Sequence, residues 1–475
     1  MGNHPRLILA GLSGGSGKTI LSLGLCRSWT QRGLRVKPFK KGPDYIDAAW
    51  LALATGGTTT NLDPFLMSPE VLKALFLEKI HGSDMAVIEG NRGLHDGKDE
   101  SGSCSTAQLA KLLHTPVVLI VNCTKMTRTV AALVQGVTAF DGEVLIGGVV
   151  FNLTAGERHR SILRRSVEKY TDIPVLGALP RLRENPIPER HMGLISDREF
   201  SADQALDTLA TTIAEWVDVE GIKSIAARSM ELPQWSQENQ PRTLATAPAV
   251  RIGVVKDAAL WFYYQENLEA LEEAGAELVE VSLLTDSPWP ELHGLYLGGG
   301  FPETQAEELS RNVYARSMVK ELAGQGLPIY AECGGLMYLC ESLAWEGYTY
   351  PMAGVFPVKT RLNKKPQGHG YTRARVVHPN PFLPVGTEFT GHEFHYSSCH
   401  PLNGEPLDYC LHMGRGHGMH EQMDGLVSRN TFACYTHLHS RGVPSWARDF
   451  VRAARRYQQV REASTNDICP FIRAE

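Results

Sequence analysis

In Ala331-Glu332-Cys333-Gly334-Gly335 a cysteine stands between an apolar run and two glycines, a setting for an exposed, sharply turned nucleophile. Thiolate attack on a carboxamide needs a base to take and return the proton, and N–H donors where the tetrahedral oxyanion forms. The run Tyr296-Leu297-Gly298-Gly299-Gly300-Phe301-Pro302-Glu303 leaves backbone N–H groups clear of side chains. Gly299 and Gly300, with Gly334 beside the sulfur, are therefore the candidate oxyanion donors. His437, in Tyr435-Thr436-His437-Leu438-His439, is the candidate base, and His439 is the candidate for a third catalytic position. A neutral imidazole there accepts a hydrogen bond but cannot stabilise an imidazolium as a carboxylate does, so Cys333 and His437 are expected to act as a dyad. Cys26, Cys123, Cys340 and Cys434 read instead as small buried hydrophobes.

A second chemistry lies near the start. In Ser13-Gly14-Gly15-Ser16-Gly17-Lys18-Thr19, successive backbone N–H groups can surround phosphate oxygens, with the dipole of a following helix behind them. Lys18 adds a cation, and the Thr19 hydroxyl can ligate Mg²⁺. Leu12 stands where the strict spacing has glycine, so the loop is the deviant glycine-rich variant. It is similar to that of partitioning ATPases of the MinD type, which carry a lysine where this chain has Ser13. Ser13 argues against a nucleotide-sandwiched dimer and for a synthetase-like use.

Glu89, closing Met85-Ala86-Val87-Ile88, stands where a Mg²⁺ ligand would, though a solvated strand end fits too. In Lys40-Lys41-Gly42-Pro43-Asp44-Tyr45-Ile46-Asp47, cations such as Lys41 suit substrate carboxylates. Aspartates suit a metal, for which Asp44 is the candidate, or can steer ammonia, and Asp47 joins Lys41 as a candidate substrate residue. An exposed turn with local ion pairs is the alternative. Asp96, in Gly93-Leu94-His95-Asp96-Gly97, has the same standing. Asn152 is placed either to read an adenine edge or to cap a strand-terminal turn. His392-Glu393-Phe394-His395-Tyr396 has His-x-x-His spacing without cysteine partners, so substrate contact or a buried polar network is expected there rather than zinc.

These residues need scaffolds. Short apolar runs at Leu7 to Ala10, Val36 to Phe39, Met85 to Ile88, Val117 to Val121, Gly148 to Phe151 and Val175 to Ala178 alternate with helix-like stretches. That rhythm predicts a parallel sheet with helical crossovers, its strands buried on both faces. Between about 224 and 248 the chain is polar, proline-bearing and without periodicity, which predicts a linker between domains 1–223 and 249–460, with a tail at 461–475. Arg251 to Val255, a helix over Asn267 to Ala274, Leu295 to Leu297 and Pro328 to Ala331 predict a second three-layer α/β domain. With 475 residues, two or three domains are expected.

With 47 Lys and Arg against 52 Asp and Glu, net charge −5, and no block of one sign, nucleic acid and membrane surfaces are not the expected partners. Nine cysteines without a Cys-x-x-Cys pair fit a reducing cytoplasm. The apolar run after Arg6 is too short for a signal peptide or a membrane span.

Together, Gly14 to Thr19, Gly42-Pro43-Asp44-Tyr45-Ile46-Asp47, Asn61-Leu62-Asp63, Glu89-Gly90, Pro188-Glu189-Arg190-His191, Leu297 to Gly300, Glu332 to Gly335, Gly391 to Tyr396 and Tyr435 to His439 resemble the cobyrinate a,c-diamide synthases nearly end to end. The resemblance implies a dethiobiotin-synthetase-like ATP domain joined to a flavodoxin-like class I glutamine amidotransferase domain. It also implies that acetate side chains of a corrinoid become amides. Cys333 would form a glutamyl thioester and release ammonia, while Mg-ATP phosphorylates a carboxylate and ammonia then displaces phosphate. In class I glutaminases a glutamate follows the histidine by two positions; His439 holds that place here. Lys41 replaces the family's valine, Asn91-Arg92 replace Val-Met and His95 replaces tyrosine. These added cations point to a more acidic tetrapyrrole such as sirohaem or nickel sirohydrochlorin as the alternative substrate. A homodimer is an open assembly, and a MinD-like switch with a decayed glutaminase half is the reading from another class.

Overall fold

Apolar residues at consecutive positions need cover on both faces of a sheet, and Leu7-Ile8-Leu9-Ala10 receives it. Ile8 and Ala10 enter one core with Phe39 and Phe76, while Leu7 and Leu9 enter another with Trp29 and Trp50. The computed structural model describes residues 4–182, 187, 189–190, 193–194, 202–232, 250–404 and 407–468. Pro188, His191, most of the expected linker and the end of the expected tail lie outside the described residues. The chain divides into two compact units, Met1–Asn239 and Gln240–Glu475.

The first unit carries a seven-stranded sheet of β1 (Arg6–Gly11), β2 (Val36–Lys41), β3 (Thr60–Leu62), β4 (Met85–Gly93), β5 (Val117–Asn122), β6 (Ile146–Thr154) and β7 (Val175–Pro180). Its order is β3-β2-β4-β1-β5-β6-β7 and every pairing is parallel. Separately, β8 (Glu189–Arg190) and β9 (Gly193–Leu194) form a small antiparallel ribbon. The chain moves to one side of β1 for β2 to β4 and to the other for β5 to β7. Such a reversal opens a crevice at the carboxyl ends of the strands.

The expected linker starts too early. Residue 224 falls inside the helix Val219–Ala227, which Asp218 caps by accepting Gly221 N–H at 2.8 Å. Ile222, Ile225 and Ala226 bury against the Leu7 and Leu9 face, so a helical apolar stripe runs into a stretch that composition marks as polar.

In the second unit the first strands are β10 (Val250–Val255), β11 (Leu260–Phe262), β12 (Ala276–Val281), β13 (Gly294–Leu297), β14 (Gly299–Gly300) and β15 (Ile329–Glu332). Then come β16 (Cys340–Trp345), β17 (Tyr348–Pro351), β18 (Phe356–Leu362), β19 (Gly368–Val376), β20 (Glu388–His395) and β21 (Ser397–Pro401). The last are β22 (Tyr409–Arg415), β23 (Met423–Ser428), β24 (Thr431–Cys434) and β25 (His437–Leu438). The main sheet runs β12-β10-β13-β15-β24-β23-β22-β19-β20-β25, parallel through β24 and antiparallel beyond it. Its parallel part has the second-first-third-fourth-fifth order of flavodoxin-like sheets. β11 and β14 pair separately, and β17-β16-β18-β21 form a smaller sheet.

The expected tail also begins inside an element, because the helix Trp446–Ile468 continues through residue 461. Trp446, Phe450 and Ala454 anchor that helix to a core containing Tyr330 and Phe432. Among the described residues no helix is long and apolar enough to cross a membrane.

Candidate functional site

The glycine loop follows β1, and the helix Lys18–Gln31 begins at its end with no side-chain cap. Its first N–H groups are therefore available to an anion. Gly17 has φ 97°, and a Cβ there would lie 2.1 Å from Asn152 Nδ2. Glycine is thus demanded twice, by backbone sign and by the asparagine behind the loop. Asn152 donates that amide to Ser16 O at 2.9 Å, and its Oδ1 accepts Leu153 N–H at 2.8 Å. Through these contacts Asn152 braces the loop from β6. Ser16 Oγ is buried without a hydrogen-bond partner.

Lys18 Nζ donates to Ser13 O at 3.1 Å and Arg92 O at 2.7 Å, tying the loop to the exit of β4. Burial and the neighbouring Lys40 charge lower its pKa, with Glu89, Asp47 and Asp96 acting in the opposite sense. A phosphate would relieve that strain between cations.

Thr19 and Glu89 meet directly, hydroxyl to Oε1 at 2.8 Å. Lys40 Nζ lies 2.9 Å from the same oxygen and 2.5 Å from Asp47 Oδ2. Burial works against the Lys40 charge, yet Asp47, Glu89 and Asp44 outweigh it and hold the ammonium protonated. Burial raises the Glu89 pKa, and Glu89 Oε2 has no hydrogen-bond partner. Asp44, half-buried, accepts Asp47 N–H at 2.9 Å at the entrance to the helix Ile46–Thr55, and burial and the Asp47 charge lift its carboxyl to about 7. Lys40, one of the two cations of that charged stretch, is the hub of the cluster. Removing it would strand two largely buried carboxylates, a loss worth about 3–5 kcal/mol for such pairs.

Lys41 is buried beside Asp63, and burial lowers its pKa with Arg92 adding to the effect. Asn61 donates to Gly42 O at 2.8 Å and Asp44 O at 2.9 Å, fixing the loop that carries these residues. Asp96 accepts Gly93 N–H at 2.8 Å and so caps the turn after β4.

At the thiol, β15 ends at Glu332 and the helix Gly334–Leu339 starts two residues later, with Cys333 alone between them. Cys333 takes φ 47° and ψ −99°, a left-handed conformation that a side chain adopts at a cost of about 1–2 kcal/mol. Its N–H donates to Cys434 O at 2.8 Å, so the turn is pinned to β24. Burial pushes the thiol up, with the charges of Glu303 and Glu332 adding to it and the Gly334 N–H working in the other direction. The thiol therefore rests neutral and needs a base.

Gly299 and Gly300 pair with β11 and reach the nucleophile turn, where a Cβ on Gly334 would lie 2.9 Å from Gly300 N. The His437 ring lies over Gly299, with Cε1 2.6 Å from where a Cβ there would be. Glycines and histidine are thus gathered at one place. His437 Nδ1 stands 3.4 Å from Glu332 Oε2. His439 turns elsewhere: its Nδ1 accepts Arg441 N–H at 3.2 Å and its Nε2 faces Glu266 at 3.5 Å. The residue expected at the third position faces other partners, and the carboxylate beside His437 is the residue before the cysteine.

His392 stacks on His437, centroids 4.8 Å apart, and its Nδ1 meets Tyr264 OH at 3.2 Å. Burial and the two neighbouring histidines drive its pKa well down, so it stays neutral. Glu393 accepts His417 N–H at 2.7 Å and Gly418 N–H at 3.0 Å, while His395 Nδ1 bonds Ser397 O. That segment is a buried polar network. Among the described residues no group of three or more His, Cys, Asp or Glu is placed to hold a metal.

A phosphate loop on one α/β unit and a thiol elbow on another define a chain that pairs a nucleotide-binding domain with a glutamine amidotransferase domain. Residues 7–195 match the CobQ/CobB/MinD/ParA nucleotide binding domain, and residues 251–443 match the CobB/CobQ-like glutamine amidotransferase domain. The chain is 42% identical over 450 residues to a cobyrinate a,c-diamide synthase of Magnetococcus marinus, covering 93% of this chain and 96% of that protein. A protein of the same name from Archaeoglobus fulgidus is 39% identical, with 95% and 97% covered, and one from Salmonella typhimurium 37%, with 95% and 99% covered. The chain belongs to the cobyrinate a,c-diamide synthase family, and it is an amidating enzyme.

Gly299 offers a local check. In Gly299→Ala the new methyl would meet His437 Cε1 at 2.6 Å, so the ring must shift. A misplacement of about 1 Å costs about 10²-fold in rate where geometry governs the step. Glutamate release from glutamine should fall by that order while amidation from added ammonia persists.

Proposed function

We propose that the chain converts the a and c acetate carboxylates of cobyrinate to amides, as an ATP-dependent ligase that draws ammonia from glutamine and passes through an acyl phosphate. The observation that carries this reading is one chain holding both a loop built for phosphate and a cysteine elbow built for acyl transfer. The near-full-length relatives of that name support the substrate.

The loop N–H groups and Lys18 would bind the phosphates and neutralise charge as the γ-phosphoryl leaves. Mg²⁺ fits the Thr19 hydroxyl, the unpartnered Glu89 Oε2 and the Asp44 carboxyl, all hard oxygen donors. Bound there, it would supply further neutralisation of the transferring group. Lys40 holds Glu89 and Asp47 in place, and Lys41 would meet a substrate carboxylate. At the other site His437 would take the Cys333 proton, Gly299, Gly300 and Gly334 would steady the oxyanion, and the proton would leave with ammonia.

Lys41 and Arg92 favour a second reading on one count. Each adds positive charge where the resembling sequences have an apolar residue, which suits a more acidic macrocycle such as sirohaem or nickel sirohydrochlorin. The test is incubation with ATP, Mg²⁺ and glutamine on each tetrapyrrole, read by mass spectrometry. Cobyrinate should lose the small mass of each hydroxyl-to-amino exchange, twice over. A change on sirohaem or sirohydrochlorin alone would move the assignment, and no change on any would overturn it.

A further inference from the structure

We propose that Glu332 is the positioning carboxylate of the thiol site, orienting His437 and stabilising the imidazolium formed when the Cys333 proton is taken. This rests on the glutaminase reading of the second unit. The position two residues after the base holds His439, whose ring nitrogens face Arg441 N–H and Glu266. The structure supplies the missing carboxylate from the opposite direction in sequence, on the residue preceding the nucleophile.

Three donors and the His437 ring converge on this fully buried side chain. Oε1 accepts Tyr330 OH at 3.1 Å and Leu438 N–H at 3.2 Å; Oε2 accepts Tyr296 OH at 3.2 Å and lies 3.4 Å from His437 Nδ1. Burial and the Glu332 charge hold both phenols well above their usual range, so they remain protonated donors. A carboxylate gripped this way has one orientation, and that orientation faces the ring. The Leu438 contact fixes the backbone directly after the base, so Glu332 sets both where the base strand lies and how its ring turns.

Chemically, Nδ1–H directed at Glu332 leaves Nε2 as the nitrogen that receives the sulfur proton. The thiolate then attacks the glutamine carboxamide carbon, the C–N bond breaks, and the proton on Nε2 departs with ammonia. Water later cleaves the thioester to glutamate, and the sulfur regains its proton. The imidazolium exists only between the two transfers, so a charge beside Nδ1 acts on the rate rather than on glutamine binding.

The test compares Glu332→Gln and Glu332→Asp with the parent. Gln keeps the shape but can present an N–H to Nδ1, favouring the wrong tautomer, a change worth about 10²–10⁴-fold in kcat. The expected result is that loss with KM for glutamine little changed, partial recovery in Glu332→Asp, and ammonia-driven amidation at the parental rate in both. Parental kcat in Glu332→Gln, or a loss that appears only in KM, would overturn the proposal. Should either variant fail to fold, ¹⁵N-histidine spectra of the parent decide it, with the His437 signals assigned by their loss in His437→Gln. An Nδ1–H tautomer is expected and an Nε2–H tautomer overturns. A parent that releases no glutamate from glutamine would instead sink the glutaminase reading itself, and a His439→Gln variant that alone reproduced the kcat loss would return the role to His439.

Discussion

Cys333→Ala is expected to abolish amidation from glutamine, by about 10⁴-fold or more, and to leave amidation from added ammonium salt near the parental rate. The size of the loss follows from the chemistry. Without sulfur no thioester forms, and neither His437 nor the glycine N–H groups can replace a nucleophile. The selectivity follows from the structure. Alanine retains the Cβ, so the φ of 47° costs what it cost before, and Cys333 N–H still reaches Cys434 O. Only one buried sulfur is removed, from a site already lined by backbone. Product formation from glutamine and from ammonia, measured side by side, checks the expectation. Equal loss with both nitrogen sources would mean that the elbow supports something other than ammonia release.

Most of what positions these groups is local in sequence and was legible for that reason. Strands such as Leu7 to Ala10 and Met85 to Ile88 announce themselves because burial on both faces requires apolar residues in succession. The phosphate loop and the cysteine turn are likewise contiguous, each a strand running into a helix. What escaped the sequence is long-range. Glu332 stands beside Cys333, but its contact with His437 depends on β15 lying next to β24 and on the chain crossing to β25 after it. Asp424 secures that crossing by accepting Tyr435 and Thr436 N–H at 3.1 Å, and nothing near either residue signals it. Which of Lys40 and Lys41 meets the acids is not legible, because adjacent strand residues point to opposite faces and the sequence does not say which face holds the acids. The bounds at 224 and 461 slipped because composition detects polarity, whereas Ile222, Ile225, Phe450 and Ala454 continue helices through polar text.

Lys18→Ala should give the complementary defect, with amidation lost from glutamine and ammonia alike and glutamate release retained. Lys18 carries the cation nearest the loop N–H groups, and removing one charged stabiliser from a phosphoryl-transfer site costs about 10²–10³-fold or more. The fold should survive. The hydrogen bonds given up, to Ser13 O and Arg92 O, are worth about 1.5–3 kcal/mol each for a charged donor, and the neighbouring Lys40 loses a like charge rather than a partner. Lys40 itself stays bound to Glu89 and Asp47, so the carboxylate cluster keeps its counter-charge. Nucleotide affinity, ammonia-driven product and glutamate release would be measured on the same preparation. Parental amidation from ammonia would refute a phosphorylated intermediate made at this loop. Paired with Cys333→Ala, the result separates the two chemistries. One variant fails only where nitrogen is generated, and the other fails wherever a carboxylate must be activated, whichever source provides the ammonia.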